Sequence, residues 1–293
     1  MDQAEALRNV VKLKKQENKP NARVITITSG KGGVGKSNVA VNLAVWMKKC
    51  GKRVIIFDAD FGLANVEVML GAAPRYNLSD VLYHGKRISD VITEGPMGIG
   101  FISAGSGIAG LNNLSLDQLE TMVRSFAELD GLADIILIDT GAGISDQVLR
   151  MILASREVLL ITTPDPSSLT DSYSLLKALY TNPAFERKEI KISVLANRVL
   201  SEEEGRNVYE KLSSVVFQFL QGSVFYAGMI PQDTALEKAV RQQQPVSLYL
   251  PFSRSAKAFE RAALGLLNGA WKQEEREGGI SRIFSGFWKH RQL

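Results

Sequence analysis

The eight residues "GKGGVGKS", Gly30 to Ser37, constrain this chain more than any other stretch. They follow a short apolar run, "VITIT", and open a segment with a helical pattern, "KSNVAVNLAVWMKKC". The string satisfies G-x-x-x-x-G-K-[ST] in the strand–loop–helix context that gives the motif its meaning. Gly32, Gly33 and Gly35 let main-chain amides turn inward around phosphate oxygens, where a Cβ would obstruct. Gly30, Lys31 and Val34 complete the loop. Lys36 can reach the β- and γ-phosphates of a nucleotide, and Ser37 can offer its hydroxyl to Mg2+.

The rest of the chain supplies a fold that suits such a loop. After Val24, apolar runs alternate with helix-length segments. The runs are "VITIT", "RVIIFDAD", "IGFISAG", "ADIILIDT", "EVLLITT", "KISVLANR" and "VFYAGMIP". Most are continuous rather than alternating, as in strands covered on both faces. The helical segments include residues 36–50, 116–129, 145–155, 169–180, 203–220 and 253–271. This alternation predicts an α/β fold: one doubly wound, mainly parallel sheet. "KQEEREGG" then breaks the pattern with a charged run closed by Gly278 and Gly279, a hinge. The chain thus divides into an N-terminal segment (1–20), a nucleotide-binding domain (21–271) and a C-terminal helix with its hinge (272–293). A formal charge of +4 is too weak to argue for nucleic acid. Cys50 is the single cysteine, which excludes an intrachain disulfide and a multi-cysteine metal site and fits a reducing cytosol. The N-terminus is too polar for a signal peptide, and no run of about 18 apolar residues exists to span a bilayer.

Lys31 is one lysine more than the loop motif needs. With "KGGVGKS" it resembles the deviant Walker A loop of MinD/ParA-type ATPases. The resemblance implies the fold of that P-loop NTPase class, ATP and Mg2+ as ligands, and a lysine that crosses a homodimer interface to the partner's phosphates. "FDADFGLANVEVMLG" and "DIILIDTGAG" extend the match. By resemblance, Asp60 orients the attacking water, Asp58 and Asp139 stand near the Mg2+ shell, and Gly143 follows the γ-phosphate. "LANR" and "GMIPQD" suggest Asn197, Pro231 and Asp233 as the adenine pocket, although a Pro-x-Asp turn also forms for structural reasons alone.

"DADFGLAN" resembles the MinD branch rather than DNA-partition ATPases, and a single cysteine excludes the bridged iron–sulfur chemistry of nitrogenase iron protein. The N-terminal "DQAEALR" resembles the activator segment of flagellar-number regulators of the FlhG, FleN or YlxH type. There, Asp2, Gln3, Ala4, Leu7 and Arg8 would address a signal-recognition-particle-type GTPase, FlhF. Flagellar switch-ring (C-ring) proteins are the other partners implied. In the tail, Ile280, Ile283, Phe284, Phe287 and Trp288 fall on one helical face, and no acidic residue follows Glu277. That pattern suits a helix lying on an anionic membrane surface, and equally a last helix docked on its own domain. The expectation is a slow, partner- or lipid-stimulated ATPase, cytoplasmic as a monomer and peripheral on the cell membrane as a dimer. A division-site or DNA-partition ATPase, or a nucleotide-gated scaffold with negligible turnover, are the alternatives.

Overall fold

The computed structural model describes residues 21–60, 65–105, 116–187, 189–269 and 280. Its first strand, β1 (Arg23–Thr28), lies inside an eight-stranded sheet, and the chain winds outward from it to both edges. To one side lie β5 (Ile135–Thr140), β2 (Val54–Ala59), β4 (Gly100–Ser103) and the edge strand β3 (Thr93–Glu94). To the other lie β6 (Glu157–Thr162), β7 (Lys191–Val199) and β8 (Phe225–Pro231). Every pairing is parallel except β3 with β4. The seven apolar runs of the sequence all became parallel strands. The antiparallel β3 did not announce itself, because two residues carry no periodicity.

The helices explain why those runs are continuous. One face of the sheet is covered by α1 (Lys36–Lys49), α2 (Asn65–Leu70), α9 (Thr234–Arg241), α10 (Val246–Tyr249) and α11 (Arg254–Asn268). The other carries α3 (Leu78–His84), α4 (Ile88–Val91), α5 (Leu116–Leu132), α6 (Asp146–Ala154), α7 (Pro166–Tyr180) and α8 (Glu202–Leu220). Ile25, Ile27, Ile56 and Leu137 point into the first layer, while Ile55, Phe57, Ile136 and Ile138 point into the second. Successive strand residues face opposite ways, so a strand buried on both sides is apolar along most of its length. The carboxyl ends of β1, β2 and β5 therefore open together at one rim, with covered sheet on either side.

Of the tail's apolar face, Ile280 is described, and it is fully buried among Met122, Phe126 and Leu129 of α5. Its N–H donates to Asp130 Oδ1 at 3.4 Å, and the N–H of Ala22, where the domain begins, donates to the same oxygen at 3.3 Å. At this residue the structure has the docked arrangement, the one that the sequence left open beside membrane binding. Ile283, Phe284, Phe287, Trp288 and the Gly278–Gly279 hinge lie outside the described residues, as does Asp2–Arg8. No helix among the described residues is long and apolar enough to cross a membrane.

The layer that receives Ile280 is centred on an edge-to-face pair, Phe57 and Phe126, with ring centroids 5.2 Å apart and both side chains fully buried. Removing one ring forfeits its burial and leaves a cavity. Phe126→Ala should lower the unfolding free energy by about 3–5 kcal/mol. Phe217→Ala, at a ring 74% exposed on α8, should stay within about 0.5 kcal/mol. Urea unfolding curves compare the two, and equal losses would contradict this assignment of the core.

Candidate functional site

The loop between β1 and α1 is shaped by what its glycines permit. Gly33 has φ +74° and Gly35 φ +96°, both in the region closed to most side chains. Gly30 is needed for another reason. A Cβ there would lie 2.2 Å from the main chain of Asp171 on α7, so this helix packs directly on the loop. Lys36, the first residue of α1, is buried under the loop. Burial pushes its ammonium below the ordinary range, with Asp139 and then Asp60 pulling it back up.

Asp139 and Asp60 act on that buried cation, and Asp58 stands beside Asp139. Asp58 and Asp139 pair in register on adjacent strands β2 and β5, and both are all but inaccessible. Asp58 accepts N–H bonds from Asp60 and Val66, each at 3.2 Å. Burial raises its carboxyl to about 8, the neighbouring Asp139 adds to the rise, and the two N–H groups oppose it. Asp139 is pushed up to about 6, mainly by burial. The Ser37 hydroxyl and Lys36 pull it down, and Asp60 pushes it up. The Ser37 hydroxyl stands close enough to favour the charged form, short of a well-aligned bond, so neither buried Asp139 oxygen has a hydrogen-bond donor. Two buried carboxylates, one with both oxygens unpartnered, beside a hydroxyl at the end of a phosphate loop make a donor set that fits Mg2+. Gly143, φ +89°, turns the chain after β5 back so that its N–H donates to Ser29 C=O at 3.0 Å.

Lys31 does not join this cluster. Its ammonium pairs with Asp165 Oδ2 at 2.8 Å and with the Ser167 hydroxyl, at the start of α7. Lys31 holds the Asp165 carboxyl below its usual range, followed by the Ser167 contacts. Asp165 caps α7 through the Ser167 N–H, with Pro166 at the first helical position. The sequence reading missed Asp165 and started this helix three residues late. The Asp-Pro-Ser-Ser string of an N-cap was there to be read, but its pairing with Lys31 was not.

The base-site residues divide. A cavity of about 480 Å³ opens beside the loop, lined in part by Asn38, Arg198, Pro231, Asp233 and Glu237. Pro231 and Asp233, two of the residues suggested for a base pocket, both line this cavity. The Asp233 carboxylate is committed elsewhere, however. Oδ1 accepts the Ala235 N–H to cap α9, and Oδ2 accepts the N–H and hydroxyl of Ser255 on α11. Asn197 is 2% exposed and turns toward the phosphate loop, donating to Val34 C=O at 2.7 Å. Arg198 and Glu237, which the sequence reading did not single out, stand in the wall instead.

Residues 25–246 match the model of the CobQ/CobB/MinD/ParA nucleotide-binding domain. The chain is 40% identical over 241 residues to the antiactivator FleN of Pseudomonas aeruginosa, covering 82% of this chain and 85% of FleN. It is 35% identical over 272 residues to the flagellum site-determining protein YlxH of Helicobacter pylori, covering 91% and 90%. Among solved structures, the cell-division ATPase MinD of Pyrococcus furiosus superposes with a TM-score of 0.65 at 26% identity, covering 85% of this chain and all of that one. MinD of Pyrococcus horikoshii in complex with Mg-ADP superposes with a TM-score of 0.65 at 25% identity, covering 85% and 98%.

The buried carboxylates set a pH dependence. Unfolded, Asp58 would titrate near 3.8; folded, it titrates near 8. The native state therefore holds a proton that the unfolded chain has lost, and stability falls as pH rises through this window. Asp58→Asn mimics the protonated acid. In the nucleotide-free protein it should be as stable as wild type near pH 4 and progressively more stable up to pH 8. Melting temperatures across that range check this, and a difference that does not change with pH would contradict it.

Proposed function

Because the chain belongs to the CobQ/CobB/MinD/ParA nucleotide-binding family and aligns along most of its length with FleN and YlxH, we propose that it is a MinD-like ATPase regulating flagellar number or placement. It alternates between a cytosolic monomer and an ATP-bound homodimer held at the membrane. The observation that carries this reading is the position of Lys31. A cation in the middle of a phosphate loop is tied outside the loop, to Asp165 and Ser167, in an exposed pair. Exposed ion pairs hold little free energy, so a phosphate group offered from a second subunit is a ready replacement for Asp165.

Each residue then has a task set by where it stands. The loop amides of Gly30 to Ser37 and the Lys36 ammonium hold the β- and γ-phosphates of ATP. Bound Mg2+, held by Ser37 with Asp58 and Asp139 in its shell, would offset the charge on those oxygens. Asp60 lies at the rim just past β2 and orients the attacking water. Gly143 sits on a turn anchored to Ser29, close enough to the loop to follow the γ-phosphate. Lys31 of each protomer reaches the nucleotide of the other, so dimerisation requires the triphosphate and assembles both hydrolytic sites at once. Two tails on one dimer then bind a surface together, and effective concentration raises their avidity about 10²–10⁴-fold without a new contact. Asp2–Arg8 addresses the FlhF GTPase, the switch ring is the other partner, and DNA is not one.

The paired lysines separate binding from assembly. Lys36→Ala removes a charge-assisted contact and should weaken ATP binding by roughly 10–100-fold. Lys31→Ala should bind ATP as wild type does yet stay monomeric. Nucleotide titration and light scattering in ATP measure the two. A Lys31→Ala protein that dimerises like wild type would defeat the reading.

A further inference from the structure

We infer that Asn197 is a positioning residue for the phosphate loop: its amide joins the wall of the base cavity to the loop main chain, so that the two halves of the nucleotide site are set by one side chain. The inference rests on the ATP reading above and assigns Asn197 a task other than contacting the base.

Asn197 sits near the end of β7, beside β8, and is 2% exposed. Its Nδ2 donates to the carbonyl of Val34, a buried residue inside the loop, at 2.7 Å. Its Oδ1 accepts the N–H of Arg198 at 2.9 Å. The amide can sit only this way round. Turned over, it would set carbonyl against carbonyl at one end and N–H against NH2 at the other. The contact with the loop is also close. A Cβ on Gly35 would lie 2.6 Å from Asn197 Nδ2. Gly35 is thus fixed twice, by its positive φ and by the amide pressed against it.

The other end of the link is unusual in its backbone. Arg198 has φ +57°, a left-handed conformation that side chains other than Gly seldom adopt. It lies where the ladder between β7 and β8 slips, between Asn197 and Val199. Such a residue persists only where its surroundings hold it, and such residues cluster at functional sites. Here the holding contact includes Asn197 Oδ1, and the side chain of Arg198 lines the 480 Å³ cavity. A purine seated in that cavity therefore presses on Arg198, whose main chain is bonded to Asn197, whose amide holds Val34.

A ligand without a base separates this role from base contact. Inorganic tripolyphosphate with Mg2+ uses the phosphate loop alone. If Asn197 positions the loop, Asn197→Ala should weaken tripolyphosphate and ATP by the same factor, roughly tenfold for a lost buried hydrogen bond. Asn197→Asp keeps the shape and the acceptor for Arg198 but sets a carboxylate oxygen against the Val34 carbonyl. It should weaken both ligands at least as much. Hydrogen exchange in the nucleotide-free, folded protein gives a readout that general destabilisation does not move: amides of residues 34–37 should exchange about tenfold faster in the variants, with the rest of the sheet unchanged. Should Asn197→Ala fail to fold, Asn197→Ser, too short to reach Val34, takes its place. Loss of ATP affinity with tripolyphosphate affinity intact would overturn the inference in favour of a base contact. Unchanged affinity for both would overturn it outright. Wild type that binds neither ligand would instead sink the ATP reading, and this inference with it.

Discussion

Asp58 and Asp139 lie side by side at the ends of two central strands, both buried, and the buried Lys36 is drawn on by Asp139 and Asp60. Burial is the main reason that Asp58 is pushed to about 8 and Asp139 to about 6, and neighbouring carboxylates, Asp139 for Asp58 and Asp60 for both, add to the rise. The arrangement is poorly balanced on its own. A divalent cation held by Ser37, Asp58 and Asp139 would offset the excess negative charge. A site that is electrostatically incomplete until its ligand arrives gives the ligand leverage over everything bonded to it.

What is bonded to it is the loop, and the loop is held from three directions. Gly30 packs on α7, Gly143 ties the turn after β5 to Ser29, and Asn197 ties Val34 to β7. The N-terminus of the same helix carries Asp165 and Ser167, which hold Lys31. A nucleotide in the loop therefore borders the anchor of the lysine that would serve a second subunit. In the proposed dimer, the phosphates and the lysine offered to the second subunit are separated by a single helix start, a short path along which to couple them.

The parts legible in the sequence were those with local signatures. The apolar runs mark every parallel strand because burial on both faces leaves few polar residues to blur them. The loop was legible from its glycines, and Asp58, Asp60 and Asp139 from their places at strand ends. What stayed hidden depended on contacts between distant residues. Lys31 and Asp165 are separated by 134 positions, Asn197 and Val34 by 163. The bond from Asn197 to Val34 joins residues that no local pattern links, and so do the bonds that Asp233 accepts from Ser255 on α11. Ile280 read as part of an amphipathic face, which is also what a docked residue looks like before its cavity is known.

Whether Lys31 acts across the interface is the claim on which the functional account turns, and mixing two defective proteins tests it directly. On the proposed roles, Asp60→Ala keeps Lys31 but loses the residue that positions water, and Lys31→Ala keeps Asp60 but has no lysine to lend. In a mixed dimer, the site on the Lys31→Ala protomer has its own Asp60 and the partner's lysine, and is complete. Phosphate release should be near background for each variant alone and should appear in the mixture, up to about half the wild-type rate per dimer because one site of each mixed pair is intact. A mixture as silent as its components would place Lys31 in its own subunit's chemistry and contradict the account.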